Sequence, residues 1–128
     1  MSSGPIITAE MLVFLSEYHL ASLTTLRSDG SPHVVPVGFS YDPELHIVRV
    51  ITFPSSVKYK NAVRGGRAVV SQVDGGRWLS LEGTVTGVSD PTRVAAAVAG
   101  YTARYRQPKE REDRVAIEIA VDRVLGRA

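Results

Sequence analysis

The chain has 128 residues, of which 44% are hydrophobic, and it contains no cysteine. This length predicts a single domain over residues 1–128 with a substantial core, and the lack of cysteine excludes disulfides and thiolate chemistry. The formal net charge of +2 is mild, no apolar run approaches the ~18 residues of a membrane span, and no secretion signal is recognisable. We therefore expect a cytoplasmic protein without a membrane partner.

The first third of the chain predicts a helix followed by a β-hairpin. Thr8 can cap a helix over residues 9–18. Residues 19–27 are rich in apolar and β-branched side chains, and a Ser-Asp-Gly-Ser-Pro turn leads into a second strand over residues 33–41. Pro36 inside that strand cannot donate to a ladder, which predicts an edge, a bulge or an opening. Gly38 allows another group to approach the backbone closely.

The remaining two thirds predict four further strands and two helices. The strands cover residues 45–53, 67–73, 77–88 and 114–125, and the helices cover residues 56–64 and a stretch that begins after an Asp-Pro cap at residues 90–91. Six strands in hairpin-connected runs, with few crossover helices, indicate a mainly β protein with an antiparallel barrel or sandwich.

The charge pattern singles out the middle of the chain. Residues 45–73 contain no Asp or Glu but carry five cations, which are Arg49, Lys58, Lys60, Arg64 and Arg67. Lys58 falls in the first turn of the predicted helix, where the helix dipole disfavours a positive charge. This placement makes sense if an anion lies between the lysine and the free N–H groups of that turn. The pattern therefore predicts a phosphate-bearing cofactor.

Several alternatives to cofactor binding remain open from the residues alone. Lys58 can be a solvated lysine with Ser56 as a plain helix cap, and Arg49 can be an inter-strand ion-pair partner. Asn61 can hydrogen-bond a neighbouring turn, and Trp78 can be buried in the core or in a dimer interface. The three histidines lack paired ligand spacing, so no metal is expected. A nucleic-acid-binding barrel would need more exposed aromatic residues near the cations, so no nucleic acid is expected either.

Several stretches, in this order and spacing, resemble a known family. They are the segments from His19 to Arg27, from Ser31 to Val35 with Val37-Gly38-Phe39, Arg49-Val50-Ile51-Thr52, Ser56-x-Lys58-x-x-Asn61, and from Ser71 to Gly83. The chain is similar to the split β-barrel flavin and deazaflavin proteins related to pyridoxamine 5'-phosphate oxidase. It most resembles their actinobacterial branch that uses the deazaflavin coenzyme F-420 and includes biliverdin-reducing members.

The resemblance implies a six-stranded antiparallel split β-barrel with short flanking helices. It also implies a homodimer that binds its cofactor in a groove at the subunit interface. The residues implied in binding share the second and third predicted strands, the start of the following helix and a wall from the partner. They are His33, Val34, Val35, Pro36 and Val37 along the ring, Val50, Ile51 and Thr52 beside it, Arg49, Ser56, Lys58 and Asn61 toward phosphate or ribityl groups, and Trp78.

The function implied is hydride transfer between reduced F-420 and an unsaturated small molecule, such as a tetrapyrrole, an enone or a quinone. No catalytic side chain is predicted, because the cofactor carries the difficult chemistry. An FMN-dependent flavoprotein and a non-catalytic F-420-binding protein are the alternatives. The chain lacks the C-terminal Arg-x-Pro-type motif of true pyridoxamine phosphate oxidases, which argues against that substrate.

Overall fold

The computed structural model describes residues 5–128 and contains a single sheet flanked by helices. Its strands are β1 (Ala21–Leu26), β2 (Pro32–Val37), β3 (Ser40–Asp42), β4 (Ile47–Thr52), β5 (Arg67–Asp74), β6 (Arg77–Val88) and β7 (Val115–Arg127). Its helices are α1 (Ala9–Ser16), α2 (Val57–Arg64) and α3 (Pro91–Arg104). No helix among the described residues is long and apolar enough to cross a membrane.

The connection between β2 and β3 forces the sheet to curl. All pairings are antiparallel, and the strand order is β2-β1-β5-β6-β7-β4-β3, so β2 and β3 form opposite edges. Only Gly38 and Phe39 separate these strands in the chain, and three Cα steps reach at most about 11 Å. A flat sheet of this many strands would be roughly 29 Å wide at ~4.8 Å per strand. The two edges therefore come together, as in a barrel.

This connection corrects the predicted strand count. The sequence predicts one strand over residues 33–41, but the chain breaks there into β2, which pairs with β1, and β3, which pairs with β4. Side chains of α3 replace ladder partners at the break: the Phe39 N–H donates to the Tyr105 hydroxyl (3.2 Å), and Arg104 donates to the Phe39 carbonyl (2.8 Å). The antiparallel, mainly β class is right, whereas six strands is wrong and seven is correct.

Local signals place most of the remaining elements well. Thr8, Ser56 and Asp90 cap the three helices as predicted, each accepting a backbone N–H in the first turn. The prediction of an edge at Pro36 is confirmed, because it lies opposite Ser22 in the edge strand β2.

The final strand is buried on both faces over its first half. Val115, Ile117, Ile119 and Val121 point into the barrel core, as their alternation predicts. The opposite face is covered by α3, so Glu118 is also only 7% exposed. Arg93 of α3 neutralises this carboxylate through two contacts of 2.6 and 3.2 Å. This ion pair holds α3 against β7. The segment after α3 lies near the ends of β2 and β4.

Candidate functional site

A cleft of about 710 Å³ opens where β2 ends, between β4, the start of α2 and the segment after α3. The lining residues come from these four places and from α3 itself, and they are residues 36–38, residues 50–53, Lys58, Tyr101, residues 106–111 and Arg114. The strand residues form a largely apolar floor, and the charged residues lie around it. Such a combination suits a flat apolar ring that carries an anionic side chain.

Gly38, at the end of β2, allows side chains of α3 to pack directly on the backbone. A Cβ atom at this position would lie 2.9 Å from Cε2 of Tyr101 and 3.0 Å from Cε2 of Tyr105. The sequence predicts that another group approaches this glycine, and the structure identifies two tyrosine rings of α3. These rings pack the helix against the strand break, and the Tyr101 ring also lines the cleft.

Lys58 projects from the first turn of α2 into the cleft. Its side chain is half-buried, its Nζ lies 6.0 Å from the centroid of the Phe53 ring, and no carboxylate among residues 5–128 pairs with it. Burial lowers the pKa of this lysine. A cation held in this way, beside the N-terminus of a helix that Ser56 caps, is available to an incoming anion.

Two of the other four cations in residues 45–73 are neutralised by carboxylates outside that stretch. Arg49 pairs with Asp42 across the β3–β4 hairpin (3.1 Å), and Arg67 pairs with Asp122 of β7 (2.6 Å). The inter-strand ion pair that the sequence allowed for Arg49 is thus present. These pairs reduce the positive electrostatic potential that the sequence predicts for residues 45–73. Among the five cations of that stretch, only Lys58 lines the cleft.

The segment after α3 supplies cations to the cleft that the sequence prediction missed. They are Arg106, Lys109, Arg111 and Arg114. The Arg111 guanidinium lies 4.2 Å from the centroid of the Phe53 ring, so this arginine and Lys58 both contact one aromatic side chain. Acidic residues alternate with these cations along the chain, so the segment has no one-sign pattern that would have revealed it.

The predicted binding residues divide into two groups. Those that line the cleft are Pro36, Val37, Val50, Ile51, Thr52 and Lys58. Those that do not line it are His33, Val34, Val35, Arg49, Ser56, Asn61 and Trp78. For both groups, contact with a cofactor stays a prediction.

Ser56 and Asn61 both have structural partners. The Ser56 hydroxyl accepts hydrogen bonds from the Tyr59 N–H (3.2 Å) and from the Thr52 hydroxyl (2.9 Å), which caps α2 and ties it to β4. Asn61 is buried and donates to the Thr25 hydroxyl (3.0 Å), which ties the helix to β1. The helix cap that the sequence left open for Ser56 is therefore present, whereas Asn61 bonds to strand β1 and not to a neighbouring turn. Both contacts fix the start of α2 and hence the position of Lys58.

His33 and Trp78 lie on strands away from the cleft lining. His33 is half-buried in β2, and its Nδ1 atom has no hydrogen-bond partner among the described residues. Trp78 is the second residue of β6, is 38% exposed and lies opposite Val73 of β5. Trp78 is therefore not a core residue of this subunit, and its outward position leaves it available to a partner chain.

One cluster of acidic and histidine side chains has metal-ligand spacing but a different role. Glu17, His19 and Asp74 place their ligand atoms within 4.8 Å of one another. The Arg77 guanidinium already contacts Glu17 at 2.9 Å and Asp74 at 2.7 Å. A cation of the protein itself therefore occupies the position that a metal ion would take.

Comparison with known protein families gives a match over nearly the whole chain. The profile of the pyridoxamine 5'-phosphate oxidase family matches residues 7–128. The chain belongs to this family. The resemblance predicted from the sequence is thus confirmed.

One relative and two solved structures are similar to this chain over most of its length. A protein of Mycobacterium tuberculosis (strain CDC 1551 / Oshkosh), named F-420H(2)-dependent biliverdin reductase, is 56% identical over 122 residues, covering 95% of this chain and 89% of the relative. A solved structure named F-420 reductase is 27% identical with a TM-score of 0.73, covering 94% and 98% of the two chains. A conserved hypothetical protein from Mycobacterium tuberculosis has the same fold, with a TM-score of 0.79 at 22% identity over 94% and 84% of the chains.

Proposed function

We propose that this family member is an F-420-dependent oxidoreductase that transfers a hydride between reduced F-420 and an unsaturated small molecule. The observation that carries the proposal is the cleft, in which an apolar strand floor adjoins a half-buried lysine without a counterion. The relative named F-420H(2)-dependent biliverdin reductase, at 56% identity, and the structure named F-420 reductase support the choice of F-420.

The residues of the cleft have distinct tasks in this reaction. When bound, F-420 supplies the hydride, so the protein needs no nucleophile. The strand floor at residues 36–38 and 50–52 would accept the ring and exclude water, which strengthens every charge interaction nearby. Lys58 and the first turn of α2 would hold the phosphate, and Arg111, on the same aromatic ring as Lys58, would add a second positive charge.

The acceptor substrate proposed is a conjugated tetrapyrrole of the biliverdin type. The volume of the cleft exceeds what a phosphate site alone needs, and it is open on one side. The relative at 56% identity is named for biliverdin, and enones or quinones are smaller acceptors of the same chemical kind. A proton from solvent at the open side of the cleft would complete such a reduction, while the strand floor would keep water from the covered face of the ring.

We also propose that a second copy of the chain completes the site. An apolar patch on the outer face of the sheet is formed by Val73, Trp78 and Leu125, which are 65%, 38% and 54% exposed. The patch runs across the adjacent strands β5, β6 and β7, and cross-strand register places Val73 beside Trp78 and Leu125 opposite Ser80, two residues along β6. Contiguous exposed apolar surface of this kind marks an interaction site. Trp78 would lie within the interface, as the resemblance implies.

The proposal is tested by a cofactor screen on the purified protein. Quenching of F-420 fluorescence should give a Kd in the micromolar range or below, and reduced F-420 should be consumed when biliverdin is added. FMN and FAD are the comparison ligands, because they are also anionic tricycles. A yellow preparation that releases FMN and does not bind F-420 would overturn the choice of cofactor. Tight F-420 binding without turnover of any acceptor would indicate that the protein binds F-420 but is not an enzyme.

A further inference from the structure

Lysine and arginine side chains without an ion-pair or hydrogen-bond partner are unevenly distributed over the described residues. Among residues 5–128, eleven of the fifteen lysine and arginine side chains have an ion-pair or hydrogen-bond partner. Those with neither are Lys58, Lys60, Arg106 and Lys109. Three of these four line the same cleft, and only Lys60 does not. Free positive charge is thus concentrated at one place.

The proposed phosphate binding at α2 assigns a ligand to Lys58 but none to Arg106 and Lys109. These two side chains come from the segment after α3, which is a different part of the cleft lining from α2. Glu110 is the one carboxylate among the described residues that line the cleft. The segment therefore gives the cleft a surplus of positive charge that a second anionic group would neutralise.

Arg106 and Lys109 line the same cleft and flank a proline. Residues 106–110 form neither helix nor strand, and Pro108 favours extended backbone at itself and at Gln107. In an extended chain with a three-residue repeat, residues 106 and 109 would lie on the same side. The Arg114 guanidinium donates to the Lys109 carbonyl, and Arg111 packs 4.2 Å from the centroid of the Phe53 ring, so the segment is anchored at Lys109 and at Arg111.

We propose that Arg106 and Lys109 form a carboxylate-binding subsite that selects an acceptor carrying carboxylate groups remote from its reacting carbon. This deepens the proposed function and rests on it, since a biliverdin-type tetrapyrrole has propionate side chains on an apolar conjugated chain. Two cations without internal partners would bind such groups by charge-assisted hydrogen bonds. An anionic arm of the cofactor offers the same chemistry, so the experiment must distinguish these two sources.

Binding of biliverdin and of its dimethyl ester to the cofactor-free protein provides the test. The two ligands differ only at the two propionate groups, which are charged carboxylates in the diacid and neutral methyl esters in the diester. Absorbance titration needs no turnover, so the result does not depend on whether F-420 is the cofactor. The wild-type protein should bind the diacid at least about tenfold more tightly than the diester. The double variant Arg106→Gln/Lys109→Gln should lose this preference and bind both ligands like the wild-type diester complex.

Lys60→Gln is the matched control, because it removes a free cation that lies outside the cleft and should leave the preference intact. F-420 affinity of the double variant identifies the source of the anion. An unchanged F-420 Kd with a lost diacid preference supports the acceptor as the ligand. A weakened F-420 Kd with an intact diacid preference assigns the subsite to the cofactor and overturns the acceptor assignment. If neither changes while circular dichroism shows folded protein, Arg106 and Lys109 form no subsite.

Discussion

At the residue scale, Lys58 is the side chain with the clearest conflict between stability and function. It is half-buried beside Phe53 without a carboxylate partner among the described residues, and burial lowers its pKa. A folded-state pKa below the unfolded value means that the unfolded chain binds this proton more tightly. Lys58 therefore lowers the free energy of unfolding at neutral pH, and this penalty disappears as pH rises toward the unfolded value of roughly 10.4.

We predict that Lys58→Met weakens F-420 binding by about tenfold to a hundredfold, the range for a lost hydrogen bond to a charged group. The wild-type affinity should fall as pH rises through the lowered pKa, because only the protonated lysine attracts the phosphate, and the variant should lose this alkaline decline. Fluorescence titration across pH measures both effects. Lys60→Met, on the same helix but outside the cleft, should change neither.

The stability of Lys58→Met is a separate observation. Because the lysine is desolvated, its replacement by an apolar side chain should leave the urea midpoint unchanged or raise it. A variant that both binds F-420 normally and unfolds at lower urea would show that Lys58 is a structural residue. The combination of weaker binding with unimpaired stability is typical of a residue kept for its ligand.

At the element scale, the break between β2 and β3 determines both the fold and the cleft. Arg104 of α3 donates to the Phe39 carbonyl, to the Glu17 carbonyl (2.8 Å) and to the buried Gln72 (2.5 Å). One guanidinium thus ties together α1, the strand break and β5. The planar fork of arginine suits this task, since it donates in several fixed directions. The backbone at residues 38–39 is therefore held open without a neighbouring strand.

We predict that Gly38→Ala destabilises the fold by about 1–3 kcal/mol, the usual range for overpacking. The new methyl group would lie 2.9 Å from the Tyr101 ring and 3.0 Å from the Tyr105 ring, so α3 must move away from the strand break. Chemical denaturation measures the loss. Gly76→Ala is the control, since no atom lies within 4 Å of the added Cβ. Equal midpoints for the two variants would contradict the close packing, and adding Tyr101→Leu should recover part of the loss.

At the scale of the whole molecule, the surface has two distinct regions. One is the cationic cleft, and the other is the apolar patch of Val73, Trp78 and Leu125 on β5, β6 and β7. Contiguous exposed apolar surface favours association. A two-fold symmetric dimer would cover the same patch on both subunits, which is the commonest arrangement of small homo-oligomers.

We predict that Val73→Lys converts a dimer into a monomer, because the charge would be buried at the centre of the interface. Sedimentation velocity measures the change directly. Leu45→Lys is the control: Leu45 is 61% exposed, close to the 65% of Val73, but it lies in the β3–β4 turn outside the patch. A monomeric wild-type protein, or equal dissociation by both variants, would refute the proposed interface.

The sequence by itself determined the elements and the family. Alternation, turn residues and helix caps report local preferences of the backbone, and these survive folding almost unchanged in β5, β6, β7 and all three helices. Family membership followed from motifs whose order is a property of the chain. Lys58 could also be singled out, because its conflict with the helix dipole is local.

Only the tertiary structure decided where charge remains free and where the sheet opens. Arg67 is separated from Asp122 by 55 residues, so its neutralisation cannot be read from neighbouring positions. The cations after α3 alternate with acids in sequence but reach the cleft because α3 is fixed across β4 and β7. Likewise, the division of one predicted strand into β2 and β3 depends on Arg104 and Tyr105, which are remote in the chain. Charge pairing and strand pairing act through space, and local sequence patterns carry no record of the distances involved.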